Sequence, residues 1–391
     1  MLFAVKEECE MRLERAINIE DLRAISRRRL PKMVFDYIDG GADDEIALVE
    51  NVQRFRRYKT VWNALVNVEQ IETGIELLGA KLTVPFFISP TASSRLFNPR
   101  AGELAVARAA HEAGTIYTAS TLGSTSLESI ASASPGTKWF QVYMWKDRGL
   151  VASMLRRSEA AGYTGLVLTV DTAVAGNRER DPRNRFSIPP KVSLKTATQA
   201  LMRPSYLLDL IGTQRISAAN ITASTASIGS VVDFINDQFD RTVTWEDLSW
   251  IRSHWKGSLA IKGISTLEDA HRSADKGADA VWISNHGGRQ LDSSPATIDL
   301  LDAVSQSFGG RLPIIFDGGV RRGGDIFKAL ALGASAVAIG RAYLWGLAAA
   351  GQDGVAHAIG ILTAELKRTM ALTGCADIAS ISRDHIFYQN L

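Results

Sequence analysis

With 391 residues, 46% of them hydrophobic and 22% charged, the chain can bury a large core, and its length fits one big α/β domain or two smaller ones rather than a disordered chain. The 44 basic and 42 acidic residues leave a formal charge of +2, so no nucleic acid or other polyanion partner is implied, and Arg27-Arg28-Arg29 reads as a solvated helix end. Two cysteines, Cys9 and Cys375, lie far apart; a disulfide framework and a thiolate metal site are excluded, no metal is expected, and a reducing compartment fits.

At the N-terminus, the apolar residues Leu2 to Val5 run straight into Lys6, Glu7 and Glu8, too short a stretch for a signal peptide or a spanning helix. Residues 1–80 read as a helical extension, with Asn18-Ile19-Glu20-Asp21 and Leu30-Pro31-Lys32 as helix starts. A small hairpin is expected near Gly74–Leu82. Eight short β-prone runs follow: Val84–Ser89, Thr115–Ala119, Lys138–Tyr143, Gly165–Val170, Ser258–Lys262, Asp279–Ser284, Leu312–Phe316 and Ser335–Gly340. Helical stretches separate them, and several end in a glycine, as at Gly114, Gly162, Gly277 and Gly333, where a helix C-terminus tolerates left-handed geometry.

Helical crossovers let consecutive strands run parallel, so the pattern predicts an α/β fold, a (β/α)8 TIM barrel over 81–391. A doubly wound sheet is the alternative. One interval, 172–257, is far longer than the rest and carries Pro182, Pro189, Pro190, Pro204 and the weakly patterned Ile216–Val231. A long insertion after the fourth strand is usually a lid, a binding loop or an oligomer contact.

In such a barrel the strand ends and following loops meet on one face. Gln141 and Tyr143 stand there after the third strand, Thr169, Asp171 and Arg178 after the fourth, and Lys262 at the end of the fifth. The sixth is followed by Ser284-Asn285-His286-Gly287-Gly288-Arg289-Gln290-Leu291-Asp292, the seventh by Asp317-Gly318-Gly319-Val320-Arg321, and the eighth by Gly340-Arg341. His286 can exchange a proton near neutral pH, and Arg289 can hold an anion through two parallel hydrogen bonds. The glycine turns after the last two strands suit a phosphate, with Arg321 and Arg341 adding charge. No Gly-x-Gly-x-x-Gly or Walker-type loop is present, which argues against a Rossmann unit and an ATPase.

These residues resemble the FMN-dependent (S)-2-hydroxy acid oxidases and dehydrogenases, the family of glycolate oxidase, L-lactate dehydrogenase and (S)-mandelate dehydrogenase. The resemblance runs from Leu30-Pro31-Lys32-Met33-Val34-Phe35-Asp36-Tyr37 to Gly340-Arg341 and is most specific in the nonapeptide at Ser284. It implies a single domain over 1–391, FMN as cofactor, and oxidation of an (S)-2-hydroxy acid to the 2-keto acid. His286 would be the base, paired with Asp171. Arg289 and Arg178 would hold the substrate carboxylate with Tyr37, and Tyr143 the hydroxyl. Lys262 would sit at the flavin edge, while Pro90, Thr91, Ala92, Ser120, Gln141, Thr169 and Ser284 would contact the ring system. Gly318, Gly319, Arg321, Gly340 and Arg341 would form the phosphate end, and Asp317 would also belong to the cofactor site.

Where glycolate oxidase carries a tryptophan after the second strand, this chain has Leu122, which would open the pocket. Ala92 and Met144 are expected in the same region. The resemblance makes an L-lactate-like acid the first choice and mandelate-like acids the second. A quinone or cytochrome would accept the electrons, or oxygen in an oxidase. The Phe234–Lys256 segment is more like the bacterial L-lactate dehydrogenases, and no Ser-Lys-Leu ending is present. Leu201–Ile211 is apolar enough to lie in a membrane interface or to form a buried lid helix. The expected location is cytoplasmic, or peripheral on the cytoplasmic face of the inner membrane, and the expected assembly a homotetramer. His111, His254, His271, His357 and His385 are read as structural. Outside the family, the rivals are a Schiff-base aldolase using Lys262 and a noncatalytic barrel.

Overall fold

Continuous apolar runs suit strands covered on both faces, and all eight runs form strands of one closed parallel barrel. The computed structural model describes residues 13–186, 201–213, 216–221, 237–308 and 310–389. Its barrel strands are β1 (Phe86–Ile88), β2 (Tyr117–Ser120), β3 (Lys138–Tyr143), β4 (Gly165–Thr169), β5 (Ser258–Ile264), β6 (Ala280–Ile283), β7 (Ile314–Phe316) and β8 (Ala336–Ile339). Neighbours pair in chain order, and β8 returns to β1. The fold is therefore a (β/α)8 barrel, and the doubly wound alternative is set aside.

Side chains fill the barrel's interior. Trp139 and Trp282 both meet Phe87 edge-to-face, at 5.4 and 5.3 Å between ring centroids, and small residues such as Ala260, Ala280 and Ala336 leave room for them. Gly165 is part of that packing: a Cβ there would lie 2.5 Å from the Trp139 indole. The expected hairpin pairs Ile75–Leu77 with Ala80–Leu82, and Leu77 and Leu82 join the same apolar cluster.

The N-terminal extension begins where expected. Asn18 caps the helix Ile19–Arg29 by accepting from the Asp21 N–H at 3.0 Å, and Pro31 precedes the helix Lys32–Asp39. Arg27 and Arg28 are exposed at the helix end, as the sequence suggests, but the third arginine of the cluster is not. Arg29 is only 11% exposed, ion-paired with Asp209 and donating to the Ala348 carbonyl, because a helix of the insertion, Pro204–Leu210, lies over it. In that helix Tyr206 is buried and donates to the Leu96 carbonyl at 2.9 Å, whereas Leu201, Met202 and Ile211 beside it stay exposed. Of the insertion's marked residues, Pro189, Pro190 and most of Ile216–Val231 lie outside the described residues, as do Leu2–Val5, Cys9, Phe234 and the chain's last two residues. Among the described residues, no helix is long and apolar enough to cross a membrane.

Candidate active site

The strand ends converge as parallel register requires. Ser120 stands opposite Gln141, Tyr143 opposite Thr169, and Thr169 opposite Lys262, so these polar side chains ring the mouth in two tiers, Ser120 with Gln141 and, two residues further along the strands, Tyr143 with Thr169 and Lys262. They open onto one cleft. Pro90, Thr91 and Ala92 line it from the loop after β1, Leu122 from that after β2, and Tyr37 from the N-terminal extension. Arg178, His286, Arg289, Asp317, Gly318, Gly319, Arg321, Gly340 and Arg341 complete the expected lining. Asp171 and Ser284 stand one layer back, each bonded to a lining residue.

Met144 is elsewhere. Tyr143 turns into the cleft, and the next side chain points to the opposite face, where Met144 is buried beside a second cavity with Leu168, Val243, Trp245 and Leu248. It cannot shape the same pocket as Leu122 and Ala92. Several lining residues lacked a chemical signal in the sequence: Ile38, Ser89, Phe97, Gly287, Val320, Ala338 and Leu344. Tyr343, buried behind the lining, bonds through its hydroxyl to Thr91.

His286 sits in an abrupt turn. His286, Gly287 and Gly288 have φ of 57°, 66° and 73°, a left-handed run costly for a residue with a Cβ. Several contacts hold it. The His286 N–H donates to Ser284 Oγ at 3.1 Å. Asn285 and Asn51 exchange side-chain hydrogen bonds at 2.8 and 3.0 Å. Asp292 accepts from the N–H groups of Ile46 and Ala47 at the start of the helix Ile46–Gln53, a carboxylate at the positive end of a helix.

The imidazole Nδ1–H donates to both Asp171 oxygens, at 3.0 and 3.1 Å. Burial lowers the proton affinity of His286, and the Asp171 carboxylate opposes this only in part. For Asp171, burial pushes upward, yet His286 and Lys262 outweigh it and hold the carboxyl below its usual range. The resting pair is thus neutral imidazole and carboxylate, with the Nε2 lone pair available as a base. Gly263 makes this approach feasible. Strand β5 slips register between Lys262 and Ile264, and at Gly263 (φ 106°) a Cβ would fall 2.8 Å from that of Asp171.

Four arginines face the cleft, and no carboxylate among the described residues forms an ion pair with any of them. Both hydrogens of Arg289 Nη1 are occupied, by the carbonyls of Tyr37 at 2.7 Å and Gly40 at 2.9 Å. Its Nε–H and Nη2 hydrogens find no acceptor among the described residues, which leaves the edge that grips a carboxylate bidentately. Arg178 stands beside it, bonded to the Arg289 carbonyl at 3.4 Å and the Gln290 side chain at 3.3 Å. Arg341 spends one hydrogen from each nitrogen on the carbonyls of Ile38, Gly287 and Gly40, keeping two of its five donors. Arg321 lies 4.7 Å over the Trp345 ring and donates to the Val320 carbonyl at 2.8 Å. Burial, ahead of the other causes, brings Arg289 and Arg321 each down to about 10 and depresses Arg341 strongly. Buried cations without counter-ions call for an anionic ligand.

Between the base and these arginines, Ser284 Oγ accepts from Lys262 Nζ at 2.8 Å and donates to Asp317 at 2.7 Å. The second Asp317 oxygen accepts from the Trp282 indole at 3.0 Å. Gln141 Nε2 and Thr169 Oγ1 are buried without a partner among the described residues, which is costly unless a ligand supplies one. Orphan donors and a lysine at the mouth, with arginines and positive-φ glycines at Gly318 and Gly319 on the far side, fit a polar ring system carrying a phosphate. FMN is such a molecule.

The chain matches the family model described as FMN-dependent dehydrogenase over residues 26–388. A Mycobacterium tuberculosis protein provisionally named an L-lactate dehydrogenase is 42% identical, across 96% of this chain and 90% of its own. Glycolate oxidase of Spinacia oleracea is 41% identical, across 94% and 95%. Among solved structures, the monotopic membrane protein (S)-mandelate dehydrogenase superposes with a TM-score of 0.90 at 39% identity, covering 95% of this chain and 99% of that one. The aldolase and noncatalytic readings are thereby set aside. The chain belongs to the FMN-dependent dehydrogenase family and is an FMN-dependent 2-hydroxy acid oxidoreductase.

Proposed function

We propose that the enzyme oxidises an (S)-2-hydroxy acid with a small apolar side chain, L-lactate first, and passes the electrons to a quinone or cytochrome. The pairing of His286 with Asp171 beside the uncommitted edge of Arg289 carries the reading: a base and a carboxylate grip share one cleft. Arg289 and Arg178 hold the substrate carboxylate with help from Tyr37, and Tyr143 bonds the hydroxyl. His286 Nε2 takes a proton, from the α-carbon or from the hydroxyl, and Asp171 stabilises the imidazolium that results. FMN, when bound, supplies the two-electron acceptor. Pro90, Thr91, Ala92, Ser120, Gln141, Thr169 and Lys262 would hold its ring system, with Ser284 and Asp317 fixing Lys262, whose positive charge eases electron uptake. Gly318, Gly319, Arg321, Gly340 and Arg341 would hold its phosphate.

Leu122 and Ala92 in the lining support a side chain larger than that of glycolate. A second reading, a mandelate-like substrate, draws on the aromatic stack in which Tyr37 meets Phe186 at 4.4 Å and Phe97 at 6.2 Å. The exposed Leu201, Met202 and Ile211 support peripheral membrane contact and a quinone acceptor. Turnover of glycolate, (S)-lactate and (S)-mandelate, each with oxygen, a soluble quinone and a cytochrome as acceptor, tests the proposal. The highest kcat/KM is expected for lactate with quinone or cytochrome; a preference for glycolate with oxygen would reject it.

A further inference from the structure

We infer that the main-chain carbonyl of Gly40 is a shared positioning group coupling the two anion grips of the cleft. The inference rests on the roles proposed above for Arg289 and Arg341. One oxygen accepts from both guanidiniums, from Arg289 Nη1 at 2.9 Å and Arg341 Nη2 at 2.8 Å, as two lone pairs allow. The neighbouring acceptors belong to the same helix end: the Tyr37 carbonyl takes Arg289 and the Ile38 carbonyl takes Arg341. The last carbonyls of a helix lack intrahelical partners and carry the negative end of its dipole. The C-terminus of Lys32–Asp39 therefore orients two buried cations through carbonyls, with no carboxylate in direct ion pair with either among the described residues, and leaves donor edges of both free for ligands.

Gly40 is fixed from behind. Arg180 ion-pairs with Asp39 at 3.3 Å and with Glu45 on either side of it. A Cβ on Gly40 would lie 2.8 Å from the Asp36 carbonyl and 3.0 Å from the Arg180 side chain, so any larger residue must shift this backbone. Its φ of −74° is open to every residue type, so that displacement is the whole effect. A phosphate seated on Arg341 would steady the carbonyl that aligns Arg289, and by reciprocity a change at Arg289 must reach the phosphate grip.

Three variants test this. Gly40→Ala should raise KM for the hydroxy acid about 5-fold or more at saturating FMN, keep kcat within about 2-fold, and weaken FMN binding to apoprotein, followed by flavin fluorescence, about 5-fold or more. Arg289→Lys should weaken FMN binding to substrate-free apoprotein by a similar factor, and Arg341→Lys should weaken oxalate binding to the holoenzyme. Lysine retains the charge, so a purely Coulombic link predicts little change in either. The coupling is overturned if Arg289→Lys leaves FMN affinity within about 2-fold while KM rises, and that arm decides alone should Gly40→Ala not fold. If Arg289→Lys leaves KM itself unchanged, the carboxylate-grip reading has failed instead.

Discussion

Asp171 accepts the Nδ1–H of His286 on both oxygens, at 3.0 and 3.1 Å, although 115 residues separate the two in sequence. The contact selects the tautomer that leaves Nε2 unprotonated. Because burial depresses the imidazole's proton affinity, the base is neutral and active above its lowered pKa, and activity is lost as the pH falls through it. The acid limb of kcat/KM should lie below about 6.5, the ordinary histidine value. Asp171→Asn removes the charge that partly opposes burial, so the limb should move lower still while kcat falls about 10²- to 10⁴-fold. Rate profiles from pH 4 to 9 check both outcomes.

Gly263→Ala should act through the same pair. The added methyl would press on Asp171 at a backbone φ of 106°, and a displacement of about 1 Å in a reacting group can cost about 100-fold in rate. A fall in kcat of about 10- to 100-fold, with little change in KM, is expected. Unchanged kcat in a folded variant would show that the close approach is incidental.

At the substrate end, Leu122→Trp should narrow the cleft. The kcat/KM for lactate should drop about 10-fold or more and that for mandelate further, with glycolate least affected. Equal losses across the three would place the side-chain pocket elsewhere.

Stability offers an independent check of the N-terminal extension. Arg23 grips Asp39 through two bonds, at 2.6 and 2.9 Å. Burial pushes the Asp39 carboxyl up, but Arg23, with Arg180 and Arg341, holds it below its usual range. A depressed carboxyl contributes fully above its unfolded pKa of about 3.9 and loses that contribution as the pH falls through the lower folded value. Asp39→Asn should therefore cost about 1–3 kcal/mol at neutral pH, with the gap to the wild type closing below about pH 4. Urea melts at pH 7 and pH 3 measure both.

The strands were legible because parallel strands covered on both faces read as unbroken apolar runs. The convergence of Gln141, Thr169, Lys262, His286 and Arg289 on one cleft was legible because a barrel gathers its strand ends on one rim, whereas Tyr37, Pro90, Thr91, Ala92, Ser120 and Leu122 were expected there only through the family resemblance. What stayed hidden depended on direction or on backbone. Met144 lies one residue past Tyr143, where alternation reverses the face. Arg29 looked like one more exposed arginine because its partner, Asp209, comes from the distant insertion. Gly263 drew no reading from the sequence, because its register slip and the room it leaves for Asp171 are visible only in the backbone. The Gly40 carbonyl has no residue-type signature, since every residue carries the same acceptor.

Stopped-flow reduction of the bound flavin without oxygen, by (S)- and (R)-lactate and by (S)-lactate deuterated at the α-carbon, tests the central claim most directly when wild type and His286→Asn are compared. The wild type should bleach with the (S) acid alone, more slowly with the deuterated one, and His286→Asn should slow bleaching about 10²- to 10⁴-fold with FMN still bound. Wild-type rates in His286→Asn would contradict the account.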